Sequence, residues 1–209
     1  MIIGVDEVNF SPSLAGDCVV CAYFKKPDLD EVPGVTDSKK LTHKQRLDLF
    51  GRLQKEGWYQ IQLASVNEIE HLGIYLARNR AIAQAVRGLL SKIQPMFWGD
   101  RFKVIIDGKF SEAWLSMIVR DEDVDVESMI GGDEKIYEIS AASIIGRIYI
   151  DALFEGFGVF YPGYDLENCH GSPSKIMYSK LRASGPTPYH RQGTYGRAWW
   201  HKIMRGGQT

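Results

Sequence analysis

Four acidic residues stand where a folding chain has reason to avoid charge. Asp6 and Glu7 are adjacent and close a short apolar run, Met1-Ile2-Ile3-Gly4-Val5. Successive side chains of a strand point to opposite faces, so a buried strand cannot hide both, and neither is comfortable beside a core. Asp107 closes a second apolar run that begins at Phe102, and Asp133 follows Gly131-Gly132 just ahead of a stretch rich in Ala, Ser and Ile. Asp151 lies within that stretch, about five helical turns beyond Asp133. Carboxylates gathered at one end of a sheet bind hard cations such as Mg2+ or Mn2+, which thiolate-rich sites do not suit. Two such ions can position a water and steady the leaving oxygen in phosphodiester cleavage. Spacing alone does not bring these residues together, and an isolated Asp at a strand end is also an ordinary turn former.

The elements that must position them follow from periodicity and punctuation. Residues 2–7 and 17–24 read as strands, forming a hairpin with a long connection that contains Ser11, Pro12, Ser13 and Gly16. Thr42 is the N-cap of a helix predicted to run to about Glu56, with Leu47, Leu49, Phe50 and Leu53 on its inner face. Residues 58–66 alternate as a strand, and 67–93 are predicted helical with a break near Gly73 and a small-residue face of Ile74, Ala77, Ala81, Ala85 and Leu89. Residues 102–107, 114–120 and 124–130 read as strands, the last two around the acidic turn Asp121-Glu122-Asp123. A buried helix is predicted from Glu134 to Phe154, and two short ones near 174–183 and 195–204. Strands first, then strands alternating with helices, indicate an α/β domain over residues 1–167 followed by a basic helical extension over 168–209.

Bulk composition narrows the class. The chain has 209 residues, of which 44% are hydrophobic and 24% charged, the balance of a soluble globular protein. The absence of a basic leader with a cleavage site, and of any apolar run long enough to span a bilayer, favours a cytoplasmic protein with no membrane association. Three cysteines, Cys18, Cys21 and Cys169, are too few and too odd for a disulfide framework. Cys18 and Cys21 form a C-x-x-C, but within a strand and without the second pair a zinc knuckle needs, so they read as core residues.

The net charge of −1 conceals an uneven distribution. Residues 168–209 carry seven Lys or Arg and no Asp or Glu, which leaves a net of −8 on the rest of the chain. Tyr178, Tyr189, Tyr195, Trp199 and Trp200 are interleaved with these cations. A basic, aromatic tail fits a phosphate-backbone partner. It equally fits a helical tail that anchors its aromatics on an acidic body, and charge alone does not separate the two.

The order of the motifs is more specific than any one of them. Gly4-Val5-Asp6-Glu7, Asp37-Ser38-Lys39-Lys40-Leu41, Ile105-Ile106-Asp107-Gly108 and Gly132-Asp133 are followed by Ile139-Ser140-Ala141-Ala142-Ser143-Ile144 with Asp151. Then come Tyr161-Pro162-Gly163-Tyr164 and Gly185-Pro186-Thr187-Pro188-Tyr189-His190-Arg191. In this order, and over nearly the whole chain, the sequence resembles ribonuclease HII. The resemblance implies a ribonuclease-H-like mixed sheet flanked by helices, with a helical C-terminal extension that helps hold the duplex. It implies a monomeric, Mg2+- or Mn2+-dependent endonuclease that cuts the RNA strand of RNA–DNA hybrids, or DNA 5′ to an embedded ribonucleotide, leaving 3′-hydroxyl and 5′-phosphate ends. Asp6, Glu7, Asp107 and Asp133 would be the catalytic, metal-holding carboxylates, with Asp151 in support. Lys39 and Lys40 would face phosphates. His190 and Arg191 are read as candidate nucleic-acid contacts, with a capping role as the alternative for His190.

Two departures bear on substrate choice. After the Asp-Glu pair the family has Gly-Arg-Gly, whose backbone approaches the ribose 2′-OH at an RNA–DNA junction. Here the matching residues are Asn9-Phe10-Ser11, with Ser13 as an added residue, so the loop loses both glycines. Asn9 and Ser11 remain there as polar groups for the 2′-OH. The family also has a Tyr that packs on the sugar beside the junction, where this chain has Ser172. Because the 2′-OH distinguishes RNA from DNA, junction recognition is expected to be altered. The alternatives are a non-catalytic nucleic-acid-binding module on the same fold, or a nuclease whose substrate has shifted to plain or branched DNA.

Overall fold

The first apolar run becomes β1 (Ile2–Val8), in which Ile3, Gly4, Val5 and Asp6 are buried in succession. Consecutive burial means that both faces are covered, as expected of an interior strand of an α/β sheet. In this computed structural model, which describes residues 1–10, 13–193, 200 and 205, β1 is the middle strand of a five-stranded mixed sheet. The other strands are β2 (Cys18–Lys25), β3 (Gly57–Ala64), β4 (Phe102–Asp107) and β5 (Val124–Met129), in the order β3-β2-β1-β4-β5. β1 and β4 pair in parallel from Ile2↔Lys103 to Val5↔Ile106, and β4 pairs in parallel with β5 up to Asp107↔Met129. Asp6 and Asp107 are the next residues after the last β1–β4 pair, so they leave adjacent parallel strands at the same, carboxyl end. That end is where open α/β sheets place their ligands.

The helices are α1 (His43–Glu56), α2 (Val66–Leu72), α3 (Ile74–Ile93), α4 (Glu112–Leu115), α5 (Tyr137–Phe160), α6 (Leu166–Cys169) and α7 (Lys175–Ser184). Thr42 and Ser65 start α1 and α2 with complete capping boxes, each pairing with the side chain three residues on. Gly73, at φ 78°, separates α2 from α3 as its place in the sequence predicts. Ile74, Ala77, Ala81, Ala85 and Leu89 are all buried along α3.

The described chain divides into two compact units. One comprises Met1–Val8, Val20–Gln62 and Ala81–Ile148, and the other Asn9–Val19, Leu63–Arg80 and Tyr149–Thr209. The first has an apolar core that includes Ile3, Val5, Val20, Val104, Ile106, Val86 and Ile139. Each such side chain contributes roughly 1.5–3 kcal/mol on burial. Within it the Glu56 carboxylate is buried and satisfied, accepting from the Tyr23 hydroxyl at 2.6 Å, the Tyr137 hydroxyl at 2.7 Å and the Val32 N–H at 3.2 Å.

Three local expectations are corrected. Residues 114–120 are not a strand: Leu115 and Ile118 are both buried at helical rather than alternating spacing, and Phe110 and Trp114 stack at 4.7 Å across one turn. The buried helix begins at Tyr137 and runs to Phe160, past Gly156 and Gly158. Phe157 holds it helical there by packing on Phe154 at 5.7 Å and on Tyr189 at 3.9 Å, contacts that outweigh glycine's poor helix propensity. Leu47, expected inside α1, is 48% exposed, because Leu49 and Leu53 complete the inner face. The helix expected over residues 195–204 lies outside the described residues.

Candidate active site

In the first unit the site is built around Asp6. Burial pushes its carboxyl well above the usual range, the negative charge of Glu7 pushes it further, and the charges of Asp107 and Asp133 add to this, while a hydrogen bond from Ser143 opposes them. Like charges nearby disfavour the ionised form of a carboxyl, in the same direction as burial. Asp107 is fixed by the Gly132 N–H, which donates to its Oδ1 at 2.8 Å. Asp133 is buried in a 3-10 turn, Gly132–Glu134, entered through Gly131 in a left-handed conformation at φ 67°. Its backbone carbonyl accepts from the Ser140 hydroxyl at 2.8 Å.

The reason these backbones can come so close is legible in two glycines. A Cβ on Gly4 would lie 2.2 Å from the Glu138 carbonyl carbon, so β1 presses directly on the first turn of α5. A Cβ on Gly132 would meet the Ile139 side chain at 2.5 Å. Above them, Asp37 is the N-cap of the turn Ser38–Lys40, accepting from the Lys39 N–H at 3.0 Å. The Ser38 and Ser143 hydroxyls pair at 2.8 Å, which ties that turn to the helix residue on which Asp6 rests.

Lys39 reaches Asp133 Oδ2 at 3.3 Å with a largely exposed side chain. Although burial works against its charge, Asp133 and Asp37 hold its ammonium above the ordinary value. Lys40 pairs at 2.7 Å with Glu134, an exposed contact of little energetic weight. Among the described residues, no three or more of His, Cys, Asp and Glu are gathered closely enough to hold a metal ion as the side chains stand. The chemistry of the donor set nevertheless fits a hard divalent cation. It consists of carboxylate oxygens only, and Asp6 is buried under the charges of three others, an arrangement a cation relieves.

The remaining predicted residues belong to the second unit. Asp151 is buried and faces His170, whose Nδ1 is 3.2 Å from its Oδ1. Ser172 is exposed, and its N–H donates to Cys169. Asn9 adopts φ 63° and commits its amide to the loop, donating to the Ala15 and Asp17 carbonyls at 3.0 and 2.8 Å. Phe10 is half-buried, and Ser11 lies outside the described residues.

His190 and Arg191 are both essentially fully buried. The Arg191 guanidinium donates to the Gly16 carbonyl at 2.7 Å, the Phe10 carbonyl at 2.9 Å and the Asn9 carbonyl at 2.6 Å. It is the inner support of the loop that follows the acidic pair, holding three carbonyls with one planar fork. His190 pairs with Ala15 in an isolated antiparallel bridge, and its Nδ1 accepts the Thr187 N–H at 3.0 Å. Ser13 and Gly171 complete the loop: the Ser13 hydroxyl donates to the Ala15 carbonyl at 2.9 Å and the Leu14 N–H to the Gly171 carbonyl at 2.7 Å.

The motif that contains Ser140 and Ser143 gives neither serine a role. Ser140 and Ser143 are three residues apart, hence on one face of a helix, and in an Ala/Ile-rich buried run each hydroxyl must find a partner. That spacing was the available signal.

Comparison with known proteins shows the family. A family model described as Ribonuclease HII matches residues 3–203. Among curated proteins, a Ribonuclease HII of Lactobacillus johnsonii is 34% identical over 193 residues, covering 92% of this chain and 70% of the relative. Among solved structures, the ribonuclease H2 of Pyrococcus horikoshii OT3 superposes with a TM-score of 0.74 at 23% identity, covering 98% of this chain and 97% of that one. Bst-RNase HIII in complex with Mn2+ superposes with a TM-score of 0.65 at 19% identity, covering 88% of this chain and 62% of that one.

Proposed function

The chain belongs to the ribonuclease HII family and is a type 2 ribonuclease H; on that premise we propose that it is a metal-dependent endonuclease cutting the RNA strand of RNA–DNA hybrids, with altered recognition of single ribonucleotide–DNA junctions. The observation that carries the reading is the buried Asp6 carboxylate under the charges of Glu7, Asp107 and Asp133. These four side chains would hold Mg2+ or Mn2+, which when bound supplies Lewis acidity, an activated water and charge stabilisation at the leaving 3′-oxygen.

The chain's own residues do the positioning. Ser143 holds Asp6, the Gly132 N–H holds Asp107, and Ser140 fixes the turn that carries Asp133. Lys39, exposed and charged beside Asp133, offers a point charge to a substrate phosphate, a contact that carries no sequence information. The altered junction preference is supported by the loop itself: the Asn9 and Phe10 carbonyls are taken by Arg191, and both Asn9 amide bonds stay within the loop. Backbone and side-chain groups committed inward are not available to a ribose hydroxyl.

The test is Asp107→Asn assayed on a hybrid, on a duplex with one ribonucleotide and on plain DNA, with Mg2+ and with Mn2+. Hybrid cleavage is expected to fall by more than the ~100-fold typical of losing an outer-shell partner. Retention of parental rates in the variant would remove the four-carboxylate assignment.

A further inference from the structure

The loop after the acidic pair carries an aromatic cluster that none of the motifs contains. The Phe10 ring meets the Tyr75 ring edge-on with centroids 5.4 Å apart, and the Arg78 guanidinium lies 4.4 Å from the Phe10 centroid. The same guanidinium is 5.7 Å from the Tyr75 centroid. Tyr75 and Arg78 are three residues apart on α3 and so share one face of it. Their exposures differ sharply: Arg78 is 9% exposed and Tyr75 68%. Arg78 is held in place by Nε and Nη2 donating to Asn79 Oδ1 at 3.1 and 2.9 Å.

Tyr75 is therefore an exposed ring fixed from behind, by an edge contact to Phe10 and by a cation close to both rings. Much of the ordering cost that a mobile surface aromatic incurs on binding is already met. Leu72, the last residue of α2, and Leu76, on α3, are also exposed, at 37% and 53%. An aromatic face with positive charge beneath it suits a nucleotide, whose sugar or base offers an apolar face next to a phosphate. In a duplex the base faces are stacked on one another, so the sugar is the face a protein ring can reach.

We propose that Tyr75 is a substrate-contacting, specificity-determining residue whose ring packs on a nucleotide sugar of the bound duplex, with Phe10 and Arg78 as its positioning residues. The inference rests on the reading of the chain as a ribonuclease acting on RNA-containing duplexes. It also explains why a bulky Phe is sustained in the loop directly after the acidic pair: Phe10 is the base on which the ring stands.

Tyr75→Ala and Tyr75→Phe are compared with the parent in steady-state cleavage of a hybrid and of a duplex with one ribonucleotide, together with thermal melts. Tyr75→Ala is expected to raise KM about tenfold, the effect typical of losing one aromatic contact to a nucleotide, with most of the loss in kcat/KM falling on KM and little change in melting temperature. Tyr75→Phe, which keeps the ring, is expected to stay within about twofold of the parent. An unchanged KM in Tyr75→Ala overturns the proposal, as does a rise in Tyr75→Phe equal to that in Tyr75→Ala. If the parent cuts neither duplex, the reading of the activity has failed instead, and the variants are compared by equilibrium binding to the hybrid. There, a Kd for Tyr75→Ala equal to that of the parent overturns the proposal.

Discussion

Replacing Arg191 by Lys separates a surface nucleic-acid contact from an internal support. Arg191 is fully buried, and its fork donates to the carbonyls of Asn9, Phe10 and Gly16 at 2.6, 2.9 and 2.7 Å. An ammonium keeps the charge but is a single point on a flexible stem, and it cannot reach three carbonyls along the three directions of a guanidinium. With two of the three charge-assisted bonds lost at about 1.5 kcal/mol each, Arg191→Lys is expected to cost about 3 kcal/mol. For a chain of this size that is a fall in melting temperature of about 6–12 °C. Chemical denaturation with the slope held constant measures the first, and thermal unfolding the second. Because the freed carbonyls belong to the loop that follows Asp6 and Glu7, discrimination between a hybrid and a single-ribonucleotide duplex should change even at temperatures where the variant is fully folded. The salt dependence of binding is the deciding readout. A residue that touches phosphate lowers the slope of log K against log salt by about one when neutralised, whereas a buried support leaves it unchanged. Parental stability together with a reduced salt slope in Arg191→Met would refute the reasoning and return Arg191 to the substrate surface.

Further outcomes follow from the same geometry. Gly4→Ala places a Cβ 2.2 Å from the Glu138 carbonyl carbon, and a clash with backbone rather than with a flexible side chain is expected to cost about 3 kcal/mol or more, read by denaturant melts. Ser143→Ala removes the hydroxyl that serves both Ser38 and Asp6 and is expected to cost about 1–2 kcal/mol, a loss that Ser143→Thr should partly restore if the hydroxyl is what matters. Burial holds the His190 imidazole down at about 4, against an ordinary value of 6.5. A depressed folded-state value means that the unfolded chain binds the proton first, so His190 contributes its full stability above pH 6.5 and loses it as pH falls towards 4. The loss amounts to roughly 3 kcal/mol across that window. The difference between parent and His190→Gln stability, measured from pH 7 to pH 4, isolates this term from the carboxyls of Asp6 and Asp17, whose raised values act with the opposite sign. A difference that does not vary with pH would show that His190 is protonated as readily in the fold as outside it.

What could be read from the sequence, and what could not, divides along a physical line. The strands that carry Asp6 and Asp107, the break at Gly73 and the inner face of α3 are set by local rules: runs of apolar residues, a glycine at positive φ, and spacing along a helix. Phe157, which carries α5 on to Phe160, does so through Tyr189, thirty-two residues away, and no local rule encodes that stacking. The same holds for charge. Seven cations in residues 168–209 invite a single electrostatic reading, but Arg191 is spent inside the fold, where its guanidinium donates to three loop carbonyls. A count of charges thus overstates what a segment offers to a phosphate backbone, and the correction needs the partner of each cation rather than its position in the chain. The loop inherits the consequence. Its carbonyls face Arg191 and its one ring faces α3, and Tyr75, in no motif and far along the sequence, is the exposed ring beside it.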